Sequence, residues 1–407
     1  SFKRESPRCC RLAVARVRQQ STAALRASTG QGRMLSCAGP IAWPEWRIFA
    51  LALAVQVPCI VLQHVVGVLI YALSRDRRLA VLIWPTAALV SCVPFWLMPH
   101  AVALLSGELQ GDAQFGIFVG ATAFSFAAFR AVESALGTTP APATVSLSAW
   151  LLYFTSSIDP KYTLVGIKPA VPPSGALTQR ARRIPVRMVA LGVIASLLSP
   201  QPHGASPFGR EMLSIGVSDY LVFCLTHVIH SLEVWLFLAL CFDIGALPLL
   251  AQGVDVGEAF LNPILRSCSP KELWGKRWNL QVNALLRRTA FKPLARFIGP
   301  AAAAIATFGV SAIFHEYQFA LTFGPAYKVG RVSRFFGSMA GLCLVQTVCE
   351  RVGALRSAAR ALPETLQAVL NVSGLAPFAH LFMLIWVDHG MFATVARMVP
   401  TMNCASR

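Results

Sequence analysis

Apolar residues run along this chain in long uninterrupted stretches rather than in the short alternations of a soluble domain. Residues 48–73 contain no Lys, Arg, Asp or Glu and are bracketed by Arg47 and Arg75, a first span exceeding the ~20 residues that cross a bilayer. Residues 79–107 also lack those charges, but Pro85, Pro94 and Pro99 predict a kinked span with a re-entrant piece. Residues 113–129 and 134–158 are weaker spans. Residues 161–187 read as a loop, with Pro169, Pro172 and Pro173 followed by Arg180, Arg182 and Arg183, and 188–198 is too short to span by itself. Residues 219–250 suit one tilted span or two short helices. A long polar, basic segment, 254–296, precedes three further apolar elements at 299–327, 335–349 and 365–397. The pattern predicts an all-α polytopic membrane protein of about eight helices. No repeat or low-complexity tract divides residues 48–400, which read as one domain ahead of a short tail, 401–407.

Composition agrees. Hydrophobic residues make up 55% of the chain and charged residues 13%, against about 25% charged in soluble domains. The net charge of +18 raises nucleic acid as a partner, but the cations sit in the tail and in short loops between apolar runs. That is the pattern of cytoplasmic loops, and it puts the tail, the 75–78 loop and 254–296 on the cytosolic side. Eleven cysteines are scattered, with Cys9-Cys10 the one close pair and no CxxC, so neither a disulfide framework nor a zinc site is expected. Residues 1–47 form a basic tail. Its first 36 residues carry eight Lys or Arg against Glu5, which suits a transit peptide or, more plainly, a disordered positive-inside tail. The chain starts at Ser1 rather than Met, which reads as a fragment or a processed form.

Chemistry concentrates at two places. His315-Glu316 is an ionisable pair inside an apolar run, with no charge from Gly299 to Phe314 or from Tyr317 to Tyr327. Such residues are costly at membrane depth and mark functional sites by default. His315 is either a neutral imidazole joining two helices or a general base kept neutral by desolvation. Glu316 lies about 100° around the helix and need not face the same cavity. The second place is Ser269-Pro270-Lys271-Glu272, a capping box with Pro at the first helical position. It leads into Trp274 and Trp278, with Lys276, Arg277, Arg287, Arg288, Lys292 and Arg296 following. This is either an interfacial helix resting on anionic lipid or a surface receiving a phosphate-bearing substrate. Asn279, at its centre, is a candidate donor to a carbonyl oxygen.

Other constellations carry less. His227, His230 and Glu233 share a helical face, but satisfied polar residues at a helix interface account for them better than a metal does. Asp388-His389 is a second ionisable pair, either helix-to-helix glue or a tunnel lining. Gly204–Gly209 has a Ser between glycines at the wrong spacing for a nucleophile elbow, and no P-loop, GxGxxG or HExxH stands in suitable context.

The segments Ser269-Pro-Lys-Glu-Leu-Trp-Gly-Lys-Arg-Trp-Asn279, Leu286-Arg-Arg288, Phe291, Pro293 and Ser311-Ala-Ile-Phe-His315-Glu316-Tyr resemble the wax synthase branch of the membrane-bound O-acyltransferases. The likeness is strong over about 260–320, compatible to about 395, and one of hydropathy alone in the first 200 residues. It implies a multi-helix fold around an internal tunnel, with acyl-CoA entering from the cytosol and a lipophilic alcohol from the membrane lipid. It implies His315 and Asn279 as catalytic residues. It also implies Trp274, Lys276, Arg277, Trp278, Arg287, Arg288 and Glu316 around the substrates, no bound cofactor or metal, no nucleic acid, and a place in the endoplasmic reticulum. Lys276 stands where the family often has Arg. Two alternatives remain: an acyl- or acetyltransferase for a terpenoid, sterol or other metabolite, and, in another class, a transporter. Transporters usually show paired halves, and this sequence shows none.

Overall fold

A computed structural model describes residues 35–36, 41–76, 78–92, 107–162, 169–198, 217–402 and 405–406. The basic tail up to residue 34, Pro94, Pro99 and the 204–209 segment lie outside them. Helices dominate the described chain, and its strands are two pairs of two residues, Leu35–Ser36 with Ala405–Ser406 and Ile41–Ala42 with Thr401–Met402.

The helices in order are α1 (Trp46–Arg75), α2 (Ala80–Cys92), α3 (Gly107–Leu136), α4 (Leu147–Thr155), α5 (Ala176–Leu198), α6 (Val217–Ala251), α7 (Leu280–Leu286) and α8 (Lys292–Phe323). They are followed by α9 (Arg331–Cys349), α10 (Gly353–Ala361), α11 (Glu364–Asp388) and α12 (Met391–Ala396). Six stretches among the described residues are long and apolar enough to cross a membrane, in α1, α3, α6, α7–α8, α9 and α11. The expected eight are not all seen. The 134–158 run is cut by a turn after Leu136, leaving α4 at nine residues. Residues 176–187, expected as loop, instead open α5 as helix, because Arg180, Arg183 and Arg187 find carboxylate partners rather than solvent.

The chain is an integral membrane protein, and its surfaces behave accordingly. Leu53, Val57, Val61, Val65 and Leu69 of α1 are exposed, as a lipid-facing stripe must be. The inner helix is α3: 72% of its apolar window is buried, against 22% for α1. Since lipid tails are as apolar as Leu, helices associate here through close packing. At Gly116 of α3 any Cβ would come within 2.8 Å of the Ala52 backbone of α1, so only glycine permits this crossing. The aromatic core, including Phe118, Phe237, Phe319, Trp386 and Phe392, joins α3, α6, α8, α11 and α12.

Ion clusters fasten the helix ends. Arg288 is the largest node: it donates to Glu133 at 2.5 Å, to Asp159 at 2.7 Å and to the Tyr153 hydroxyl at 3.1 Å. Arg130 holds the other oxygen of Asp159 at 2.9 Å. Arg180 and Arg187 clasp Asp243, and Arg397 and Arg47 clasp Asp112. Buried charges persist only when paired, and in each cluster the pairing ties residues distant in sequence.

Helix α8 is two helices in line. Gly299 has φ 77° and ψ 162°, outside the helical region, and Pro300 starts the membrane-crossing part. Proline suits a first helical turn because its missing N–H would be unpaired there anyway.

Candidate active site

The motif segment begins as its sequence predicts. Ser269 accepts from the Glu272 amide at 3.2 Å, and Glu272 reaches back to the Cys268 amide at 2.9 Å. After one turn the helix widens to π geometry over Leu273–Arg277 and ends at Trp278. Trp274 and Trp278 therefore meet across a turn, ring centroids 6.0 Å apart, and not on one continuous helix. Asn279 then takes the left-handed conformation, φ 41°, and its Oδ1 accepts from Val282 at 3.4 Å to start α7. Because an amide N–H must meet the oxygen end of Asn279, Nδ2 is the free end, without a protein partner among the described residues.

Above this segment stands α8. His315 Nδ1 lies 2.8 Å from the Ser311 carbonyl. A carbonyl can only accept, so Nδ1 carries the proton and Nε2 keeps its lone pair. Nε2 has no hydrogen-bond partner among the described residues. The ring is wedged between Phe314, Phe336 and Phe382, with centroids 4.6, 4.7 and 5.7 Å away. Its residual exposure is to a cavity of about 730 Å³, which also touches Trp274, Trp278, Asn279, Arg287 and Phe308. Glu316 faces the opposite way. It accepts from the Tyr327 hydroxyl at 2.5 Å and from Gly330 N, Ser333 N and Ser333 Oγ at 2.8–2.9 Å, pinning the turn from α8 to α9.

The cavity thus brings together His315, Asn279, Trp274, Trp278 and Arg287, but not the other four residues expected near the substrates. Arg288 is spent in its ion cluster. Arg277 pairs with Glu272 at 2.6 Å and donates to the Leu261 carbonyl at 3.1 Å. Burial alone would raise the Glu272 pKa, but the Cys268 N–H and the Arg277 guanidinium outweigh it and hold the carboxyl below its ordinary value. Lys276 is exposed on an adjoining groove, and Glu316 is a structural anchor. The lining also holds residues not singled out in the sequence, among them Asn283, which donates to the Trp274 carbonyl at 2.8 Å, Arg351 and Asn371. Asn283 was findable, four residues after Asn279 on the same helical face. Asp388 pairs with Arg331 at 2.6 Å and His389 stacks on Phe323, both outside the cavity. No group of three His, Cys, Asp or Glu suited to a metal occurs among the described residues.

Much of the cavity lining, His315 and Asn279 included, falls in a stretch that known proteins share. Residues 258–338 match the model of the membrane bound O-acyl transferase family. Over these residues the chain is similar to the membrane bound O-acyl transferases. It is 32% identical over 130 residues to probable long-chain-alcohol O-fatty-acyltransferase 2 of Arabidopsis thaliana, covering 30% of this chain and 37% of the relative. Against numbers 9 and 7 of the same plant series it is 32% identical over 108 residues and 30% over 132. Those matches cover 24% and 30% of this chain, and 29% and 38% of the relatives. The chain therefore spans well under half the length of these curated relatives. The resemblance read from the motif residues holds for this family and for its long-chain-alcohol members.

Proposed function

We propose that this protein transfers a fatty acyl group from acyl-CoA to the hydroxyl of a long-chain alcohol within the membrane, as a wax ester synthase does. The observation that carries the reading is His315: a proton-fixed Nδ1, an open Nε2, and an apolar cavity in front of it. Nε2 removes the hydroxyl proton as the alcohol oxygen attacks the thioester carbonyl. Asn279 Nδ2 donates to the oxyanion that forms. The carbon–sulfur bond then breaks, the ester leaves, and the CoA thiolate takes the proton back from the imidazolium. Proton transfer and a fixed oxyanion donor are the terms that lower such a barrier.

In this reading Trp274, Trp278 and Arg287 contact substrate. Lys276 steers the CoA phosphates from outside the cavity, and Arg277, Arg288 and Glu316 hold the walls. The 254–296 segment faces the cytosol, where acyl-CoA resides, and the protein sits in the endoplasmic reticulum. The apolar lining supports a lipophilic acceptor. The names of the plant relatives point to a long-chain alcohol before a sterol or terpenoid.

The test is acyl-CoA consumption in membranes carrying the protein, with fatty alcohols, sterols and terpenoid alcohols offered in parallel. Wild type should form wax esters. His315→Ala should lose about 10²–10⁴-fold in turnover while still accumulating in the membrane. A well-accumulated His315→Ala protein with full activity removes His315 from the mechanism, and ester formation confined to sterols or terpenoids replaces the acceptor.

A further inference from the structure

The His315 cavity has a neighbour of different chemistry. A groove of about 1110 Å³ lies between the 268–276 turn, the C-terminal half of α9 and the N-terminal half of α11. It carries Lys271, Lys276 and Arg351 against Glu272 and Glu350. Lys271 is matched to Glu350 at 2.5 Å, and Glu272 to Arg277. Lys276 and Arg351 have no ion pair among the described residues, so the groove is left with cations free for an anion. The two compartments share one wall: Lys271, Thr347, Arg351, Asn371 and Leu375 line both.

Asn371 is the unusual member of that wall. Its side chain is buried, with 8% of the residue exposed. Its Nδ2 donates to the Ser267 carbonyl at 2.9 Å, and since that carbonyl can only accept, the orientation of the amide is fixed. Oδ1 is therefore the other end, and it is buried without a partner. An orphaned buried acceptor is costly and calls for a donor. None of its wall neighbours donates to it: Thr347 Oγ1 gives its proton to the Cys343 carbonyl at 2.7 Å, Lys271 Nζ is held by Glu350, Arg351 makes no hydrogen bond to it, and Leu375 is apolar.

We propose that Asn371 Oδ1 accepts a hydrogen bond from an amide N–H of the donor's pantetheine arm as that arm crosses from the basic groove into the His315 cavity. The inference rests on the acyl-CoA reading above. An acyl-CoA joins an apolar chain to a phosphorylated nucleotide through an arm bearing secondary amides. With the chain beside His315 and the phosphates near Lys276 and Arg351, the arm must pass the shared wall.

The experiment measures KM and kcat on membranes carrying the full chain, with a long-chain acyl-CoA and with the same thioester N-methylated at its arm amides. Wild type should favour the unmethylated donor by about tenfold in KM, the worth of one net hydrogen bond. Asn371→Leu should raise KM for acyl-CoA by about tenfold, leave kcat within a factor of about two, and abolish the discrimination. Asn371→Asp keeps an acceptor of the same shape and should keep the discrimination, which preserves the test if the Leu variant accumulates poorly. Equal losses for both donors would make Asn371 a clip for Ser267 alone and overturn the inference. So would a wild type that turns over both donors with the same KM. A wild type that consumes neither donor overturns the acyl-CoA reading itself, and this inference with it.

Discussion

Replacing Arg288 by Leu separates wall from substrate contact. Arg288 reads from sequence as one more phosphate-binding cation, yet in the structure it makes three hydrogen bonds, two of them to carboxylates. The Glu133 side chain is fully buried and that of Asp159 is 15% exposed. Asp159 retains Arg130 when Arg288 is removed. Glu133 retains the Tyr153 hydroxyl alone. Breaking a buried pair from one side costs about 3–5 kcal/mol, because the remaining charge stays buried without its partner. That is a large part of the ~5–15 kcal/mol that keeps a typical domain folded. Arg288→Leu should therefore unfold in detergent at a much lower temperature and accumulate poorly, with the surviving fraction keeping its KM for acyl-CoA. Arg288→Met combined with Glu133→Gln removes both charges, leaves Asp159 with Arg130, and should recover most of the loss. Thermal unfolding of the solubilised protein, followed by tryptophan fluorescence, reads both variants. A single variant as stable as wild type but with a raised KM would refute the argument and return Arg288 to the substrate.

Asn279→Ala should lower kcat by about 10²–10³-fold and leave KM within a few-fold, measured by steady-state kinetics. It also loses a helix cap worth about 1 kcal/mol, so Asn279→Asp, which keeps the cap but offers no N–H donor, should show the same kcat loss with less change in stability. A change confined to KM would make Asn279 a binding residue. Glu272, with its pKa held below the ordinary 4.5, stabilises the folded motif at any pH above that value. Its contribution fades as pH falls through the lowered pKa, so the 268–277 turn should become open to proteolysis in acid. Glu272→Gln should remove that pH dependence, and protection that does not change between neutral and acid would exclude Glu272 as its source.

Much of the candidate site's geometry was legible because its signals are local. The capping box lies within four residues, and Ser269 and Glu272 behave as their spacing dictates. The angular offset between His315 and Glu316 separates a cavity-facing imidazole from a loop-facing carboxylate. What was illegible depends on partners far along the chain. Nothing near Arg288 announces Glu133 or Asp159, and nothing near Arg180 announces Asp243, so four basic residues read as loop or ligand turned out to be fasteners. The π turn at Leu273–Arg277 also escaped the pattern, because the i, i+4 spacing of Trp274 and Trp278 looks helical until the chain leaves the helix at Trp278. Asn371 sits in an apolar run with no motif around it, and its meaning comes only from the two hollows that meet beside it.

The break at Gly299 works as the zero mark of a ruler. From Pro300 the helix runs unbroken to His315, roughly 22 Å at 1.5 Å per residue, which sets how far from the kink the imidazole stands. One residue inserted into that stretch would swing His315 by about 100°, away from the hollow, although every side chain of the site was still present. One whole turn, added or removed, would keep it facing the hollow and shift it by about 5.4 Å. In this protein the count of residues between a backbone kink and His315 is thus as much a part of the candidate site as the imidazole itself.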